Sequence, residues 1–130
     1  AEKAHLEAIE RVLPLHRRSK LLPCWRAAGW LIGALPSLFG AVAVYNTIDA
    51  VESFVDKHYQ EQIDYLEHTS QCEALLTLLK TCQADEISHR NEARHLASGP
   101  RTRVELVVTA VWTWVVGAGS KAAVSIARVI

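Results

Sequence analysis

QADEISHRNEARH, residues 83–95, is the stretch whose reading decides the fold. It lies inside a repeat in which Leu75, Leu79, Cys82, Glu86, His89, Ala93 and Leu96 follow one another at steps of four and three. On an α-helix that spacing makes a single stripe. The stripe is apolar apart from Glu86 and His89, so two ionisable groups interrupt what otherwise reads as a core seam. A carboxylate enters an apolar interior only with something to neutralise it. The placement asks for a base, a second acid sharing a proton, or a metal.

Upstream, Glu2, His5, Ile9 and Val12 make an earlier stripe of the same kind, on a helix that Pro14 should end. A basic connection follows, with His16, Arg17, Arg18 and Lys20, read either as a solvated loop or as a contact for anionic lipid headgroups. From Ala27 to Val44 the run AAGWLIGALPSLFGAVAV holds no charge and is interrupted by Gly29, Gly33, Pro36 and Gly40. Two short helices meeting at Pro36 are expected there. Such a hairpin either caps the core or dips into one leaflet without crossing it, and the flanking basic residues with Trp25 and Trp30 favour the leaflet.

Tyr45, Ile48, Glu52, Val55, Tyr59, Gln62 and Leu66 then trace a long helix with a carboxylate in its buried stripe. Ser70 and Glu73 form a capping-box pattern that should open the next helix near Gln71, and Gly99 with Pro100 should stop it around Ser98. Thr102 and Glu105 repeat the capping pattern at the head of a last helix, uncharged from Leu106 to Ser120 and carrying Trp112 and Trp114. A helix apolar on all sides is buried on most of them or touches lipid. With no alternating strand pattern and only short connections, the expected organisation is all-α, in a single domain over residues 1–130.

Lysine plus arginine balance aspartate plus glutamate at fourteen each, and no basic stripe interleaves with aromatics, which argues against a nucleic-acid partner. Cys24, Cys72 and Cys82 are odd in number and lack CxxC spacing, so reduced, buried thiols are expected rather than a disulfide framework. The chain opens in mid-helix without a cap or a methionine, as expected of a fragment or processed form. No Gly-rich phosphate loop or GxSxG elbow is present.

The chemistry concentrates in Glu2, Glu52 and Glu86. Glu2 with His5 and Glu86 with His89 are Glu-x-x-His units, and residues three apart on a helix lie about 5–6 Å apart on one side, close enough to share an ion. Two such units facing each other, joined by glutamates from two further helices, are the ligand pattern of di-iron carboxylate bundles. Oxygen and imidazole donors suit iron or manganese better than a structural zinc. The competing reading is a salt-bridged bundle in which the histidines merely satisfy the glutamates. No arginine or lysine falls on the three stripes to act as counter-ion, which favours the metal. A further bridging glutamate would have to come from a helix preceding Ala1.

These residues resemble the demethoxyubiquinone hydroxylases, di-iron monooxygenases of ubiquinone biosynthesis, over nearly the whole length. The resemblance runs through EKAHL (2–6), LLPCWRAAGWLIGAL (21–35), AVESFVDKHYQEQI (50–63), DEISHRNEA (85–93) and AGSKAAVSIA (118–127). It implies a ferritin-like di-iron bundle with an interfacial membrane hairpin, in which Glu2, His5, Glu52, Glu86 and His89 are metal ligands and the remaining glutamate lies on an earlier helix. His58 and Tyr59 match family residues close to the metals and the quinone, although Tyr59 also reads as a core aromatic in the stripe with Val55. Ser53 and Lys57 stand where the family commonly has another acid and another histidine, which alters the surroundings that orient ligands.

The implied activity is hydroxylation of the demethoxyubiquinone ring, using two iron ions, O2 and NADH as electron source, on a membrane-embedded quinone. The implied location is peripheral, on the matrix side of the mitochondrial inner membrane, or on the cytoplasmic membrane of a bacterium. A lipid-presenting helper protein or a larger membrane complex would be a fitting partner. The alternative from a different class is a non-catalytic structural or lipid-binding subunit derived from the same family. Iron storage is disfavoured, because a soluble cage has no need of an uncharged hairpin.

Overall fold

The computed structural model describes residues 2–12, 20–69 and 72–128, with Glu2 described by its backbone alone. Among the described residues every regular element is a helix: α1 (Glu2–Val12), α2 (Leu22–Ser37), α3 (Ala41–Thr69), α4 (Glu73–Leu96) and α5 (Arg103–Ala127). Pro14, the residues of the basic connection before Lys20, Ser70 and Gln71 lie outside the described residues.

The longest element, α3, has 29 residues, about 44 Å of helix, and the others assemble on it. Its polar contacts with α4 fix direction and register. Arg94 Nε donates to Asp49 Oδ1 at 2.7 Å, Arg90 pairs with Asp56, Gln83 Nε2 donates to Asp56 Oδ1 at 2.9 Å, and Lys80 Nζ lies 2.6 Å from Glu67 Oε1. Rising numbers on α3 meet falling numbers on α4, so the two are antiparallel. On α5 the order is the other way: Asn46 bonds Thr109, Trp112 Nε1 donates to Thr47 Oγ1 at 2.7 Å, and Arg128 lies 3.9 Å from Glu61. Helix α5 therefore runs parallel to α3. α2 packs on α3 and α1 on α4.

The uncharged run folds as a hairpin, but its break is not at Pro36. Pro36 sits buried in the last turn of α2, and the chain reverses at Gly40, whose φ of +94° suits a residue without a Cβ. The expected second short helix is the beginning of α3. A proline in that last turn leaves one helical backbone bond unmade, because it has no N–H to donate.

The capping box of α5 forms as expected. Glu105 N donates to Thr102 Oγ1 at 3.2 Å and Thr102 N donates to Glu105 Oε2 at 2.7 Å. These bonds from Thr102 hold the exposed Glu105 carboxyl below its ordinary pKa. Of the expected Ser70–Glu73 box, Ser70 lies outside the described residues; α4 begins at Glu73, with Cys72 as its N-cap. Cys72 has left-handed backbone (φ 50°, ψ 74°), which costs a residue with a Cβ about 1 kcal/mol.

Three expectations about burial change. On α4 the seam is as read: Leu79, Cys82, Glu86 and Ala93 are buried, with Leu75 and His89 half-buried, though Leu96 is exposed. On α3 the fully buried residues are Thr47, Ala50 and Ile63, while Tyr45, Ile48, Glu52, Val55, Tyr59, Gln62 and Leu66 are all half-buried. α3 contacts α2, α4 and α5, so its buried surface is spread round the helix instead of lying in one stripe. On α1, whose main packing among the described residues is on α4, Val12 is exposed.

All three thiols are free, but only Cys82 is buried; Cys24 and Cys72 are exposed. The last helix, uncharged from Leu106 to Ser120, is not buried: of α5 only Val116 is, and the helix is long and apolar enough to cross a membrane by length and composition.

Ile63, 2% exposed beneath this assembly, should be a principal contributor to stability. Ile63→Ala is expected to lower the free energy of unfolding in urea by about 3 kcal/mol. Val104→Ala on the exposed face of α5 should change it by less than about 0.5 kcal/mol.

Candidate metal centre

Glu86 is the deepest carboxylate of the described residues, 3% exposed in the middle of α4. Its neighbours show how the chain meets the requirement of burying it. His5, from α1, brings Nδ1 to 3.0 Å from Glu86 Oε1, and His89, one turn along α4, brings Nδ1 to 3.4 Å from Glu86 Oε2. Among the described residues no lysine or arginine lies in an ion pair with it. Glu86 Oε2 has no hydrogen-bond partner there, although it is fully enclosed. A buried carboxylate oxygen without a donor is costly unless a cation completes it.

Glu52, half-buried on α3, supplies the rest of the arrangement. One ligand atom each from Glu52, Glu86 and His89 can be chosen so that all lie within 4.8 Å of one another. Three donors held about 2.1 Å from one cation lie at most about 3.6 Å apart, so closing round a metal would draw these side chains together. The donor set, carboxylate and imidazole without thiolate, matches iron or manganese. His5 stands at the same carboxylate from the opposite helix. The residues present thus fit a metal.

The structure brings together His5, Glu52, Glu86 and His89, four of the five residues expected to be ligands. The side chain of the fifth, Glu2, lies outside the described residues. It does not bring His58 into the group. That ring is 2.8 Å from Gln62 Nε2 and stacks on Phe54 at a centroid distance of 6.0 Å, contacts within its own helix. Tyr59 hydrogen-bonds Cys82, one turn of α4 before Glu86. Burial pushes the Cys82 thiol up, with the Tyr59 bond working against it, so the thiol stays protonated at neutral pH. Tyr59 is therefore placed on the α3–α4 seam beside the centre and does not line its cleft.

Sequence reading missed two acids. Asp85 Oδ2 lies 2.9 Å from His5 Nε2, and Glu92 lines a cleft of about 410 Å³ that also takes in Glu52 and His89, walled by Tyr45, Ile48 and Leu96. Both acids lie off the apolar stripe, where a helical repeat marks nothing; only the approach of α1 and α3 gives them a role. Ser53, where an acid was expected, accepts from Arg94 at 3.2 Å and donates to Asp49 at 3.1 Å, joining the ion pair that ties α3 to α4. Lys57 is exposed.

A family model described as "Ubiquinone biosynthesis protein COQ7" matches residues 1–127, nearly the whole chain. The chain belongs to the COQ7 family. Its all-α architecture is that of a ferritin-like COQ7 bundle. Among COQ7 relatives, it is 31% identical over 94 residues to the rat "NADPH-dependent 3-demethoxyubiquinone 3-hydroxylase, mitochondrial", covering 69% of this chain and 43% of that protein. It is 32% identical over 92 residues to the "3-demethoxyubiquinol 3-hydroxylase" of Rhodospirillum rubrum, covering 69% of this chain and 42% of that protein. A Caenorhabditis elegans relative with the same name as the rat protein is 24% identical over 133 residues, covering 99% of this chain and 68% of that protein. The chain thus spans less than half the length of the rat and bacterial relatives. No solved structure matches it.

A carboxylate kept for a ligand, and not for the fold, should be dispensable without metal. Glu86→Leu in chelator-treated protein is expected to unfold in urea at the parent's stability or about 1 kcal/mol above it. A loss beyond about 3 kcal/mol would mark Glu86 as one half of a structural ion pair.

Proposed function

We propose that the full-length protein is a di-iron monooxygenase that hydroxylates the ring of demethoxyubiquinone. The observation that carries this reading is the enclosed Glu86 carboxylate, met by imidazoles from two helices and by Glu52 from a third, in a member of the COQ7 family. Glu52, Glu86, His5 and His89 would hold the metal, with Glu2 joining them. Bound iron would supply the activation of O2, which no side chain here provides.

The chain's own residues prepare the place for that chemistry. Asp49–Arg94 and Asp56–Arg90 hold α3 against α4 on either side of Glu52, so the carboxylates meet in one register. The cleft at Glu52 and His89, walled by Tyr45, Ile48 and Leu96, offers an apolar site for a quinone ring beside the carboxylates. The expected electron source was NADH; the mammalian relatives' names specify NADPH, and a reduced nicotinamide nucleotide is the reductant of this reading.

Peripheral membrane association is part of the proposal. Leu38 and Phe39 at the α2–α3 turn are 77% and 81% exposed, Trp30 and Trp114 are each 71% exposed, and Val104, Val107, Val108 and Val111 of α5 are also exposed. So much uncovered apolar surface suits a bilayer from which a polyprenyl quinone is drawn. The rat relative's name says mitochondrial; in a eukaryote the proposed membrane is the mitochondrial inner membrane, and in a bacterium the cytoplasmic membrane.

Full-length protein prepared anaerobically with ferrous iron is expected to hold about two irons per chain. Glu52→Ala and Glu86→Ala should each abolish that content together with hydroxylation. Absence of iron above background would instead assign the chain to a non-catalytic relative. On anionic vesicles, replacing Leu38, Phe39 and Trp114 by serine should weaken flotation about tenfold or more, and unchanged flotation would exclude the hairpin as the anchor.

A further inference from the structure

A cavity of about 650 Å³ lies apart from the carboxylates of the metal centre, bounded by the α2–α3 turn, the connection from Ala97 to Thr102 and the first turns of α5. Leu35, Pro36, Phe39, Val42, Val108 and Trp112 make most of its wall. Phe39, Val42 and Val108 are also exposed to the outside, so this groove opens within the apolar surface assigned above to the bilayer. The groove nevertheless holds a cation. Arg101 lines it, half-buried, and its Nη2 donates to Ala97 O at 2.6 Å and to Asn46 Oδ1 at 3.2 Å. Those two bonds fix the guanidinium against α3 and the end of α4 but occupy one of its nitrogens. Nε and Nη1 donate to no described residue, which leaves N–H groups for a ligand. Glu105, the acid that lines the groove, has its Oε2 engaged by Thr102 N and Thr102 Oγ1. Arg103 is exposed two residues away, so two arginines stand against one carboxylate at this mouth.

We propose that the groove holds one anionic phospholipid, with its phosphate on Arg101 and an acyl chain against Phe39, Val42 and Val108. The proposal rests on the membrane association described under the proposed function and adds to it a discrete site for a single lipid molecule. Charge complementarity decides the occupant. A plain hydrocarbon chain would leave the spare N–H groups of Arg101 facing apolar atoms, which is costly. A free phosphate would take those bonds and gain nothing from the wall. A phospholipid uses both, a charge-assisted hydrogen bond at the head and apolar burial along the chain. The volume also falls within the range of about 300–1,000 Å³ that small-molecule sites occupy. Because Asn46 and Ala97 already hold the guanidinium, little side-chain freedom is lost when the lipid arrives.

The experiment is calorimetric titration of full-length protein with short-chain phosphatidylglycerol below its micelle concentration. Short-chain phosphatidylcholine and inorganic phosphate serve as comparison ligands, and flotation on mixed phosphatidylcholine–phosphatidylglycerol vesicles is measured alongside. The parent should saturate at about one phosphatidylglycerol per chain and bind the two comparison ligands about tenfold or more weakly. Arg101→Gln should bring the affinity for phosphatidylglycerol down to that for phosphatidylcholine. Ala43→Phe, which fills the groove and keeps Arg101, should weaken both lipids about tenfold or more, with Tm unchanged, and it decides the matter if Arg101→Gln melts early. Undiminished phosphatidylglycerol binding in Ala43→Phe, or inorganic phosphate bound as tightly as the lipid, overturns the lipid site while a parent that still floats keeps the membrane reading. A parent that does not float overturns that reading and this inference with it.

Discussion

The burial of one negative charge governs the arrangement of these helices. Glu86 lies at the α1, α3 and α4 junction, where a lone carboxylate would be destabilising by several kcal/mol. The chain answers with weak bases and a second acid in place of a permanent cation: His5 from α1, His89 from its own helix and Glu52 from α3. A guanidinium would have closed the charge balance and left nothing for a ligand to do. The permanent cations of this region, Arg90 and Arg94, are committed instead to Asp56 and Asp49 on α3. The two kinds of pairing divide the labour, with the arginine pairs setting the helix register and the histidine contacts gathering at Glu86.

Much of this was legible before any coordinates, and the reason is periodicity. A four–three repeat reports which residues share a face, so the α4 seam, its interruption by Glu86 and His89, and the partner unit at His5 could all be read from spacing. The Thr102–Glu105 box was legible because both halves of a capping box lie within four residues. Periodicity fails where a helix has several neighbours. α3 is contacted from three sides, and its fully buried positions, Thr47, Ala50 and Ile63, belong to no single stripe. It also fails for residues outside the repeat, which is why Asp85 and Glu92 went unnoticed.

Local rules misled in two places where neighbouring residues competed for the same role. Pro36 looked like the hairpin's break, yet Gly40 is the residue whose backbone can turn, and the proline was absorbed into the end of α2. Helix α4, expected to open near Gln71, begins at Glu73 with Cys72 as its N-cap. Thiol burial was read from apolar context alone, which holds for Cys82 inside the α3–α4 seam and fails for Cys24 and Cys72 on the outside.

The two interhelical ion pairs also bear on how the chain can change in length. Asp49 and Asp56 stand either side of Glu52, and each has its own arginine on α4. Inserting or deleting one residue between them would rotate the rest of α3 by about 100° and shift it about 1.5 Å along its axis. One of the two pairs would then break, and Glu52 would turn away from Glu86 or lose its support. Insertions would therefore be tolerated best in the connections, above all the reversal at Gly40 and the loop from Ala97 to Thr102. The span from Asp49 to Arg94 behaves as a ruler whose divisions are already assigned.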